Sequence, residues 1–74
     1  MTALPVVSGR QAVKALEKMG YAFDRQRGSH IILRQQNPPH RRLTVPDHKE
    51  VAQGTLRAII RQAGLTVEVF NDLL

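Results

Sequence analysis

The 74-residue sequence has no cysteine. Disulfides and thiolate metal sites are thereby excluded, and the composition fits a reducing compartment. There is no apolar run of membrane-spanning length and no signal-peptide layout at the N-terminus, so a soluble, cytoplasmic protein without membrane contact is expected. Internal repeats and low-complexity tracts are also missing, and the length suits one domain, residues 1–74. A chain this short buries only roughly 60% of its unfolded surface, and nothing in it acts as a staple. A partner protein is therefore expected to add to its stability. One further absence is local: no Asp or Glu occurs between Arg25 and Pro46.

Arginine fills that acid-free stretch, at positions 25, 27, 34, 41 and 42. The whole chain has 11 basic and 6 acidic residues, a formal charge of +5. Residues 1–24 sum to +1 (three basic, two acidic), 25–46 to +5, and 47–74 to −1 (three basic, four acidic). The excess charge is thus concentrated in the middle of the chain. An arginine-rich patch of one sign points to phosphate or nucleic acid as the ligand.

Ser8-Gly9-Arg10-Gln11 reads as a capping box that opens a helix running to about Met19, with Gly20 as its left-handed stop. Ala12, Ala15, Leu16 and Met19 form its apolar arc, and Arg10, Lys14 and Lys18 a basic stripe on the opposite arc. Tyr21 to Arg25 alternates as a strand, Gln26 to Ser29 supplies a hairpin connection, and His30 to Gln35 is a second strand. Asn37-Pro38-Pro39 breaks that strand, and Arg41 to Val45 makes a third, closed by Pro46. A polar stretch from Asp47 to Gly54 leads to a helix marked by Leu56, Ile59, Ile60 and Ala63 that ends at Gly64. Thr66 caps a last helical segment carrying Val69, Phe70, Leu73 and Leu74. The expected fold is α+β, in the order α-β-β-β-α with a short extra C-terminal helix. Its three-stranded antiparallel sheet has helices on one face.

Strand alternation puts Ile31, Leu33, Leu43 and Val45 under the helices, leaving His30, Arg34 and Arg42 on the open face. A histidine in a phosphate-attracting field suits metal-free RNA cleavage, because imidazole moves protons near neutral pH. Arg27, Arg34 and Arg42 are the candidates for phosphate binding and transition-state charge, and Arg10, Lys14 and Lys18 for tracking the nucleic-acid backbone. Gly28 and Ser29 form the turn before His30. Ser29 either fixes that turn or offers a hydroxyl or N–H to a phosphate, and strand geometry argues against a Ser29–His30 nucleophilic pair. His48 is a near-site candidate if the chain folds back beside the sheet. The three histidines, at 30, 40 and 48, match no metal-ligand spacing, so neither a metal nor another cofactor is expected.

Taken in order, Gly28-Ser29-His30, Val45-Pro46-Asp47-His48 and the run from Gly54 to Leu65 resemble the HicA (YcfA-like) toxins of toxin–antitoxin systems. The resemblance extends from Ser8 to Leu74. It implies a fold similar to the double-stranded RNA-binding domain and activity as an mRNA interferase, an endoribonuclease, with His30 as the catalytic histidine. It further implies inhibition by a HicB-type antitoxin that covers the active face and often binds operator DNA, so that DNA is contacted only indirectly. The loop from Gln36 to Arg42 matches nothing in the family pattern. On composition alone a non-catalytic RNA-binding module, with His30 stacking on a base, stands as the alternative. So does a module whose basic face docks an acidic protein.

Overall fold

The computed structural model describes residues 3–74. Ser8 caps the first helix, α1 (Gly9–Glu17), by the expected capping box: its hydroxyl accepts from the Gln11 N–H, and the Gln11 side chain accepts from the Ser8 N–H. The helix stops two residues short of Met19, which stands 42% exposed and not on the buried arc. Gly20, at φ +95°, then turns the chain into the sheet.

The strands are β1 (Tyr21–Arg27), β2 (His30–Gln35) and β3 (Arg42–Pro46), antiparallel in the order β1-β2-β3. The hairpin connection is shorter than the sequence suggests, because β1 runs on to Arg27 and only Gly28 and Ser29 remain in the loop. Ile31, Leu33, Leu43 and Val45 are buried beneath the helices together with Tyr21. Phe23 shares that side as the partner of Leu33, yet β1 is an edge strand and leaves the ring 54% exposed.

The register between β1 and β2 shifts between Phe23 and Arg25, where Asp24 is the extra residue of a bulge. Simple alternation would set Arg25 on the same side as Tyr21 and Phe23. The bulge reverses the phase, so Arg25 lies opposite Ile32 and joins the open face.

Beyond β3 the chain crosses the end of the sheet as an irregular strap, residues 47–52, before α2 (Gln53–Gln62). Leu56, Ile59 and Ile60 turn inward from α2, and Gly64, at φ +74°, ends it. Thr66 caps α3 (Val67–Leu73) through its hydroxyl, which accepts from the Val69 N–H, and Phe70 completes the core. All of the described core lies between the helices and one face of the sheet. The other face is left for contact.

Candidate active site

The site is built from the hairpin outward. Arg27 and His30 are directly paired, which leaves a two-residue turn. Gly28 takes φ +58°, the sign a type II′ turn requires at its first central position. The turn starts β2 at His30, whose side chain is exposed on the open face. Pro46 lies directly opposite on β3, so the triplet Arg27, His30 and Pro46 spans the sheet. The next triplet on this face is Arg25, Ile32 and Thr44, and the last is Ala22, Arg34 and Arg42. Arg34 is four residues along β2 from His30, about 13 Å on an extended strand.

His30 also lines a shallow depression of about 330 Å³, with Thr44, Pro46, His48, Ala52 and Thr55. The strap brings His48 there, and the strap is firmly tied. The Asp47 N–H donates to the Ser29 carbonyl at 2.6 Å, the Gly9 N–H to the His48 carbonyl at 2.9 Å, and the Val51 N–H to the Val7 carbonyl at 2.8 Å. The Asp47 carboxylate accepts from Arg10 Nη2 at 3.1 Å and from Gln26 Nε2 at 3.2 Å. One acidic residue thus joins α1, β1, the hairpin turn and the strap. Ala52, at the N-cap of α2, offers no side-chain hydrogen bond to the helix. The N-terminal end of that helix, partially positive from its free N–H groups, borders the depression where Ala52 and Thr55 line it.

The basic candidates divide by what already engages them. Arg10 pairs with Asp47 at 3.1 Å, Arg42 with Asp24 at 3.7 Å, and Lys18 Nζ donates to the Leu73 carbonyl at 2.8 Å. Among the described residues no ion pair holds Lys14, Arg25, Arg27 or Arg34. The stripe on α1 does not share the open face. Arg10 and Lys14 line a separate groove on the helix side, beside Phe23, Gln26 and Ile31. A ligand touching both His30 and that stripe has to reach from one side of the sheet to the other.

Ser29 acts in the turn through its carbonyl, which holds the strap, and its hydroxyl makes no hydrogen bond among the described residues. His40 lies past the other end of β2, where its Nδ1 donates to the Gln35 carbonyl at 3.1 Å. No three His, Asp or Glu side chains gather as a possible metal site among the described residues. Sequence reasoning missed Arg25, hidden by the bulge, and Asp47 and Thr55, whose placement depends on contacts distant in sequence.

A search of curated proteins finds no match to the chain. The family model for the HicA toxin of bacterial toxin–antitoxin systems, in contrast, matches residues 9–65. That span starts at the first residue of α1 and ends just before Thr66, the cap of α3, so it takes in the whole sheet, the turn, the strap and α2. The chain belongs to the HicA toxin family, and as the toxin of a toxin–antitoxin pair it has an antitoxin as partner.

Proposed function

We propose that this toxin is an endoribonuclease that cuts mRNA without a metal, using His30 as an acid–base catalyst. The observation that carries this reading is the position of His30. It is exposed beside Arg27, with Arg25 next along the same face, and among the described residues neither arginine is held by an ion pair. RNA brings its own nucleophile, the 2′-hydroxyl. The protein has to move protons and stabilise charge on the phosphorane. Arg25 and Arg27 supply charge next to His30, while Arg34 and Arg42 lie farther along the sheet and hold flanking phosphates. The backbone N–H groups at the turn residues Gly28 and Ser29 are further phosphate donors. A HicB-type antitoxin fits as the inhibitor by covering the open face.

Inducing the chain alone in bacterial cells is expected to arrest growth and to leave cut mRNAs. His30→Ala, made at an exposed position, is expected to do neither. Full toxicity from the folded His30→Ala protein would overturn the assignment. Growth arrest with intact mRNA would favour a non-catalytic RNA-binding role.

A further inference from the structure

We infer that His48 is the second acid–base catalyst, acting with His30 on opposite sides of the reacting phosphate. The inference rests on the ribonuclease reading above and deepens it. Both imidazoles are exposed and line the same depression. The sheet explains why they meet. His30 is paired with Pro46, and directly paired residues hold their Cβ atoms about 4.5–5.5 Å apart. His48 follows two residues later on a strap that turns back over the end of the sheet.

That strap is fixed on both sides of His48 by main-chain hydrogen bonds and by the Asp47 carboxylate. The imidazole itself is left without a hydrogen-bond partner among the described residues, unlike that of His40. An anchored backbone with an uncommitted side chain is the arrangement a positioned proton-transfer group needs. The other groups lining the depression, Thr44, Pro46, Ala52 and Thr55, contribute hydroxyls or packing, so among the described residues His30 and His48 are the imidazoles that line it.

The chemistry balances with these two groups alone. Neutral His30 takes the proton of the 2′-hydroxyl as that oxygen bonds to phosphorus. His48, as imidazolium, gives a proton to the departing 5′-oxygen as the P–O5′ bond breaks. The products are a 2′,3′-cyclic phosphate and a free 5′-hydroxyl, and water returns both histidines to their starting forms.

The test compares single-turnover cleavage by the full chain, His48→Ala, His48→Gln and His30→Ala at one mapped site. Two substrates are used: ordinary RNA, and the same RNA with sulfur in place of the leaving 5′-oxygen, since a thiolate departs without being protonated. On ordinary RNA both His48 variants are expected to lose ~10²-fold or more, the usual contribution of a general acid, while keeping RNA affinity and thermal stability. The sulfur substrate is expected to restore the His48 variants and not His30→Ala. Rescue of His30→Ala alone would keep the pair and exchange the two roles. Rates within about threefold of the unmodified chain for both His48 variants would overturn the inference, since such a change is under ~0.7 kcal/mol of barrier. Rescue of neither histidine's variants would overturn it too. If the unmodified chain itself fails to cut RNA, the ribonuclease reading fails first and this inference falls with it.

Discussion

His40 is tied to the Gln35 carbonyl, whereas the imidazoles of His30 and His48 have no hydrogen-bond partner among the described residues. Secondary structure accounts for the difference. His30 starts a strand on the uncovered face of the sheet, and His48 lies on a strap fastened by its neighbours. Tyr21 is the opposite case, a side chain used for its bulk. It is 4% exposed, and its hydroxyl has no partner among the described residues. Leaving such a group unsatisfied costs about 1–3 kcal/mol. Tyr21→Phe is therefore expected to hold or raise the melting temperature, as thermal denaturation will read. A fall of more than about 4 °C, roughly 1 kcal/mol at this size, would mean that the hydroxyl is bonded.

At the scale of elements, local signals in the sequence carried most of the fold. The Ser8 and Thr66 caps, the glycine stops at Gly20 and Gly64, and the alternation of β2 and β3 all appear where the residues call for them. These devices act within three or four residues, so a single sequence displays them. The bulge at Asp24 does not work that way. It depends on how β1 meets β2, and it moved Arg25 to the face from which alternation had removed it. The strap is a second case, because Asp47 gathers partners from α1 and β1 across 37 and 21 residues of chain. His30 was therefore legible from the sequence, while the placement of His48 beside it needed the fold.

The strap also explains Gly9. A Cβ added there would overlap the Pro46 carbonyl oxygen, and the Gly9 N–H holds the His48 carbonyl. Since the obstacle is backbone, the contact can be relieved only by moving the end of β3 or the start of α1. Gly9→Ala is expected to cost about 1–3 kcal/mol, the usual range for overpacking, and to slow RNA cleavage by displacing His48. Thermal denaturation and cleavage rates measure both effects. Unchanged stability and rate would show that the approach of α1 to the strap is looser than described.

At the scale of the whole molecule, the sheet separates two tasks. One face carries the packing with the helices, and the other, with Arg25, Arg27, Arg34 and His30, is free to meet a ligand. The net charge of +5 is arranged accordingly: Asp24 is engaged by Arg42, and Asp47 is turned toward Arg10 and Gln26 on the helix side. Such a surface suits a polyanion, and the proposed function asks that His30, with His48 beside it, perform chemistry there. No helix among the described residues is long and apolar enough to cross a membrane.

The most direct test is single-turnover cleavage of an mRNA by the purified chain in excess EDTA, with new 5′ ends mapped and RNA binding measured in parallel. The unmodified chain is expected to cut, and His30→Ala to bind RNA with similar affinity while cutting at least ~10²-fold more slowly. Equal cutting by His30→Ala, or cutting that EDTA abolishes and a divalent ion restores, would contradict the account.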